Sequence, residues 1–128
     1  MGRIIAPVRI QNVRHPETSI LMDALVDTDV THLVLPAAWR ERPGELESMD
    51  RVELELATQP TATGEVCGPV KIQIEGFRAV FGEVLFVEMH PKDGSYEPLL
   101  GYIPLEQSQA AVDVLGHRLI AARRFDLK

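Results

Sequence analysis

The chain has a single cysteine, Cys67, which excludes an internal disulfide and any multi-cysteine zinc centre. Basic residues are also few. Thirteen Lys and Arg stand against nineteen Asp and Glu, a formal net charge of −6, so no basic stripe exists to neutralise nucleic-acid phosphates. No apolar run approaches the roughly 18 residues that span a bilayer. Ile4-Ile5-Ala6-Pro7-Val8 is too short and proline-broken for a signal-peptide core, and Gly2 lacks the downstream Ser or Thr of a myristoylation site. The expectation is a soluble cytoplasmic protein with no nucleic-acid or membrane partner. Repeats and low-complexity tracts are missing too, and 128 residues with 45 % apolar and 25 % charged content read as one domain over 1–128.

Period-two alternation is what the sequence has in abundance, and it marks half-buried strands. Val8-Arg9-Ile10-Gln11, Val52-Glu53-Leu54-Glu55-Leu56 and Val70-Lys71-Ile72-Gln73-Ile74 each put apolar and polar side chains on opposite faces. Apolar runs at Ile20–Val26 and His32–Leu35 read as strands, and Phe77–Met89 as a longer β stretch with a bend at Gly82. Turns are punctuated by Pro43-Gly44, Gly68-Pro69 and Pro91-Lys92-Asp93-Gly94. Helix signals are scarce. One short helix is expected after Pro36, another over Pro104–Ala110, and a closing pair of strands at Ala111–Leu115 and Arg118–Ala121. The pattern predicts an all-β fold, a small closed barrel with one or two short helices.

The stretch richest in chemistry is Ala24-Leu25-Val26-Asp27-Thr28-Asp29-Val30-Thr31-His32-Leu33-Val34-Leu35-Pro36. Two carboxylates and two hydroxyls sit between apolar β runs, where burial is costly unless the charges are paired or hydrogen-bonded. Composition alone reads this as a polar turn between core strands. Elsewhere the candidates are sparse. His15, His32, His90 and His117 lack metal-ligand spacing, and no metal or other cofactor is expected. Cys67 has no basic neighbour to activate it and reads as an inert thiol. Gly64–Gly68 lacks the Gly-Lys-Ser/Thr ending of a phosphate loop. Trp39 is expected to pack the first short helix on the barrel, and Glu53 and Glu55 to face solvent.

The Asp27 segment resembles the active-site loop of retropepsin-like aspartic proteases, the retroviral type in its bacterial form. That motif is an apolar strand, Asp-Thr/Ser-Gly, a small residue, Thr/Ser and a second apolar strand. Asp27, Thr28, Thr31 and Leu33-Val34-Leu35-Pro36 match it. A second mark of the family, two apolar residues and a glycine before a short helix, is matched by Leu99-Leu100-Gly101 followed by Tyr102–Glu106. The likeness runs over about residues 8 to 121. It implies a retropepsin-like barrel with a flap hairpin, for which Thr58, Gln59, Pro60 and Thr61 are the substrate-binding candidates.

It also implies an aspartic endopeptidase in which Asp27 is catalytic, with Thr28, Asp29, Thr31, Leu100 and Gly101 in support. Such enzymes use two carboxylates that share one proton. One chain carries one Asp-Thr motif and so half a site, which implies a homodimer acting on a peptide or protein substrate. Asp29 departs from the family pattern, where glycine stands. It brings up to four carboxylates to the dimer axis and a side chain where the family has none. The alternative it leaves is an inactive retropepsin-like module for peptide binding or dimerisation.

Overall fold

A computed structural model describes residues 3–56 and 59–122, with the backbone alone for 55, 56 and 59–61. Its strands are β1 (Ile5–Asn12), β2 (Ser19–Val26), β3 (Leu33–Pro36), β4 (Glu47–Leu56), β5 (Gln59–Ile74), β6 (Val80–Val87), β7 (Leu99–Leu100), β8 (Ala110–Asp113) and β9 (Arg118–Ala121). A 3-10 turn over Ala37–Trp39 and one helix, α1 (Tyr102–Gln107), complete the elements. Seven strands form one sheet in the order β1-β2-β7-β3-β6-β5-β4, and a further β1–β5 pairing turns it into a near-closed ring. β8 and β9 form a separate two-stranded sheet. The all-β expectation therefore holds at the level of a mostly β protein whose main sheet is a near-closed ring.

Alternation explains the inner wall. Ala6, Val8 and Ile10 of β1, Ile20, Met22 and Ala24 of β2, and Val70, Ile72 and Ile74 of β5 point inward, each at most 8 % exposed. The polar residues between them face out, as a period of two requires. β3 is different, with all four residues buried. Its Leu33 and Leu35 join the main core, while Val34 joins a second cluster with Ala62, Val66, Leu85 and Val87. A strand covered on both faces reads as a continuous apolar run, which is what Leu33–Pro36 and Val84–Val87 are. The second cluster is the floor under the β4–β5 hairpin, whose Val52 and Leu54 pack on it together with Val30 and Leu99.

β5 has 16 residues and changes neighbour partway along. Its first part pairs with β4 and its second with β1, while β6 pairs along the other edge. The register on β6 shifts between Cys67 and Val70, so the irregularity sits at Gly68-Pro69, opposite Gly82, instead of interrupting β6. β6 is itself shorter than the expected Phe77–Met89 stretch. Gly64 lets the hairpin settle, since a Cβ there would come within 2.7 Å of Leu85 Cδ1 and 3.3 Å of Val87 Cγ2.

The short elements moved relative to expectation. α1 begins two residues before Pro104, its N-terminal backbone being held by the Asp27 segment, and ends before Ser108. Ala110 belongs to β8, while Val114 and Leu115 lie in the turn before β9. The element after Pro36 is a single 3-10 turn, and Trp39 packs partly on the core with an edge-to-face contact to Tyr96. Among the described residues no helix is long and apolar enough to cross a membrane.

Candidate functional site

Asp27 follows directly on β2, and the six residues 27–32 connect it to β3. These two strands are not paired with one another. β7 lies between them, parallel to β2 and antiparallel to β3. The connection must therefore pass over the end of β7, and its backbone is tied down there. The Asp27 N–H donates to the Leu100 carbonyl at 3.0 Å. In return Gly101, Tyr102 and Ile103 donate to the carbonyls of His32, Val30 and Thr31, each at 3.0 Å. Three successive N–H groups at the start of α1 thus hold three successive carbonyls of the loop. Orphan donors at a helix start are satisfied in this way without any side-chain cap.

Gly101 makes this approach possible. A Cβ at this position would lie 2.6 Å from Thr31 C and from Val30 O, and closer still to His32 O, all of them backbone atoms. Leu100 is fully buried beside it. The two sequence marks, separated by more than half the chain, are therefore in direct contact.

Within the loop, one oxygen of the Asp27 carboxylate accepts the Asp29 N–H at 3.0 Å, and the Val30 N–H bonds the Asp27 carbonyl at 3.3 Å. Asp27 is half-buried, whereas Thr28, Asp29 and Thr31 are exposed. Asp29 does not need glycine's backbone freedom. The non-glycine residues with positive φ among those described are Asp93, Gln109 and His117. The Asp29 carboxylate extends into solvent beside Asp27 without backbone strain. Thr31 Oγ1 is 2.7 Å from His32 Nδ1, and His32 Nε2 is 3.6 Å from Glu83 Oε1 on β6. His32 thus joins the loop to a neighbouring strand.

The structure brings Asp27, Thr28, Asp29, Thr31, Leu100 and Gly101 together. Of the flap candidates, Gln59, Pro60 and Thr61 open β5, with Gln59 paired to Leu56, while Thr58 lies outside the described residues. The hairpin meets the Asp27 loop through the shared apolar cluster, in which Val30 touches the floor formed by Ala62, Val66 and Leu85.

Two polar features lie beyond the loop. Arg40 donates to Glu65 Oε1 at 2.9 Å and to the Leu46 carbonyl at 3.1 Å, and its guanidinium lies over the Phe86 ring. The Ser48 hydroxyl, followed by Arg40, holds the Glu65 carboxyl down to about 2. Burial pushes the neighbouring Cys67 thiol up to about 11, which makes it a poor nucleophile. Asn12, buried at the end of β1, is the other feature, and no motif in the sequence marks it. It is 1 % exposed and makes four hydrogen bonds, donating to Pro43 and Glu45 carbonyls and accepting from Arg14 and His15 N–H groups. Among the described residues no cluster of three or more His, Cys, Asp or Glu side chains is placed to hold a metal ion.

No protein-family model matches this chain, and no curated protein matches it significantly.

Proposed function

We propose that the chain is a retropepsin-like aspartic endopeptidase that works as a homodimer, with Asp27 of each subunit forming the catalytic pair. The observation that carries this reading is the Asp27 loop held over Leu100-Gly101 by reciprocal backbone hydrogen bonds. This anchors the backbone that carries a half-buried carboxylate, in a loop whose Val30 packs on the same apolar cluster as Val52 and Leu54 of the β4–β5 hairpin. A two-fold axis beside Thr28 and Asp29, both exposed, would join two such half-sites.

The chemistry follows from two carboxyl groups with one proton. The ionised Asp27 takes a proton from a bound water as its oxygen attacks the scissile carbonyl carbon. The protonated Asp27 of the other subunit gives its proton to the carbonyl oxygen, so a neutral gem-diol forms. Collapse of the diol returns a proton to one carboxylate, while the leaving nitrogen takes a proton from the other. No covalent enzyme intermediate arises. The β4–β5 hairpin supplies the closing element, binding an extended peptide by strand-like hydrogen bonds.

Asp29 supports a second reading, an inactive peptide-binding module with the same fold, because its exposed carboxylate stands next to Asp27 where the resembled family has glycine. Cleavage of a denatured protein by wild type, Asp27→Asn and Asp29→Gly across pH separates the two. The peptidase reading expects wild-type cleavage that Asp27→Asn abolishes, with a dimer in sedimentation. Cleavage by Asp29→Gly alone supports the silent module. A monomeric wild type, or no cleavage by any variant, refutes the peptidase.

A further inference from the structure

The Thr31–His32–Glu83 chain is more than a brace. In neutral imidazole one ring nitrogen bears hydrogen and the other is a bare acceptor. The Glu83 carboxylate, 3.6 Å from Nε2, favours the proton on that nitrogen and leaves Nδ1 to accept. The Thr31 hydroxyl, 2.7 Å from Nδ1, then donates its only hydrogen to the ring. What it offers outward is a pair of acceptor lone pairs. When the imidazole gains a proton, Nδ1 becomes a donor, and the hydroxyl must turn to accept from it. Its own O–H is then released toward the exposed side of the loop.

We propose that His32 sets the hydrogen-bonding polarity of the Thr31 hydroxyl, so that His32 protonation turns Thr31 from an acceptor into a donor for a substrate carbonyl. The proposal rests on the peptidase reading of the Asp27 loop and concerns how that loop grips a peptide. Asp27 and Asp29 are acceptors when ionised, and Thr28 is the other hydroxyl of the loop. An extended peptide presents carbonyls and N–H groups alternately, so a Thr31 hydroxyl turned outward adds a donor for a carbonyl that the carboxylates cannot meet. The side chain of His32 is 21 % exposed, so solvent reaches the ring while Thr31 and Glu83 flank it.

The charged and titratable groups around it are few. Glu83 faces it from β6, Asp27 and Asp29 share its loop, and α1 carries Tyr102 and Glu106. β7, the third neighbour, has none. Glu83 is the carboxylate at ion-pair distance among the described residues, so it decides which nitrogen is protonated. His32 is a positioning residue, acting through Thr31.

Two measurements test this on the full chain. The first is the imidazole nitrogen spectrum of His32, assigned by its loss in His32→Gln. A neutral form with hydrogen on Nε2 is expected, and a neutral form with hydrogen on Nδ1 overturns the proposal. The second is binding of fluorescein-labelled, denatured casein to Asp27→Asn, which removes cleavage and the titration of the catalytic pair. Binding is compared at about pH 5 and about pH 8, on either side of the range in which imidazoles change charge.

Binding about fivefold tighter at the lower pH is expected, the ratio given by one ordinary hydrogen bond. Adding His32→Gln or Thr31→Val abolishes that ratio, while adding Thr31→Ser retains it. A ratio that persists in Thr31→Val overturns the proposal, as does one absent from Asp27→Asn itself. Lack of cleavage by wild type, together with a Thr31-dependent ratio in binding, refutes the peptidase reading alone.

Discussion

Replacing Gly101 by alanine tests the contact on which the site is built. The added Cβ would stand 2.6 Å from two backbone atoms of the Asp27 loop and closer to a third, whereas real Cβ contacts essentially never fall below 3.0 Å. No flexible side-chain end is available to yield, so the loop backbone must retreat by roughly an ångström. The three N–H···O bonds from Gly101, Tyr102 and Ile103, now at 3.0 Å, lengthen past useful range. Each is worth about 1 kcal/mol, and overpacking adds about 1–3 kcal/mol. The total, about 4–6 kcal/mol, is a large part of the stability of a domain this size.

Urea denaturation followed by tryptophan fluorescence at Trp39 reads the change. A fall of about 2–4 M in midpoint is expected at a typical urea slope. Gly64→Ala is the control. Its nearest obstacle, Leu85 Cδ1 at 2.7 Å, is the end of a side chain that can rotate, so about 1–2 kcal/mol is expected. A Gly101→Ala protein within about 1 kcal/mol of wild type, or one more stable than Gly64→Ala, would refute the loop geometry.

Asn12→Ala removes four hydrogen bonds between the end of β1 and two loops and leaves one buried carbonyl and three partly buried backbone groups without that partner. It should cost about 2–4 kcal/mol in the same assay, and a loss under about 1 kcal/mol would contradict the burial described. Glu65 gives a pH dependence of definite sign. Its pKa is lowered in the folded chain, so its contribution is present above about 4.5 and is lost as pH falls toward about 2. Glu65→Gln should therefore flatten the fall in melting temperature over that interval and be less stable than wild type at neutral pH. An unchanged acid limb would refute the assignment. Cys67, buried with its pKa near 11, should resist alkylation by iodoacetamide at pH 8 until the chain is unfolded, as mass spectrometry would record.

Most strands were legible in the sequence because their faces differ. β1 and the second half of β5 alternate between a packed and a wetted side, and that contrast is written in the residues themselves, whereas β2 carries Leu21 on its wetted side and reads as an apolar run. β3 was legible for the opposite reason, being apolar throughout because both of its faces are covered. What could not be read was neighbour choice. Nothing local in Gln59–Ile74 tells that one strand leaves β4 for β1 near Gly68. α1 was misplaced because Pro104 is a good first-turn residue, yet the start is set two residues earlier by carbonyls of residues 30–32. Local chemistry cannot report a partner that is distant in the chain. Asn12 escaped for the same reason, since its partners at Pro43 and Glu45 lie across a turn.

The candidate site divides along similar lines. Asp27, Thr28 and Thr31 stood out only by likeness to one family motif, since composition alone reads them as a polar turn, and Leu100-Gly101 by likeness to a second. Their contact is a property of the fold. His32 follows the motif closely enough to suggest a hydrogen bond near it, but its partner Glu83 was not legible, because Glu83 reaches it only through the parallel pairing of β3 with β6.

The pairing of Asp27 with Leu100 also has a consequence for the order of events during synthesis. A ribosome releases residues 27–32 well before 100–103, with more than half the chain in between. Until Ile103 has emerged, the carbonyls of Val30, Thr31 and His32 have no Tyr102, Ile103 or Gly101 to meet, and β2 and β3 have no strand between them. A nascent or prematurely terminated chain therefore carries the Asp-Thr pair without the frame that fixes it. The late arrival of β7 acts as a completion check, postponing an ordered carboxylate loop until nearly all of the barrel has been made.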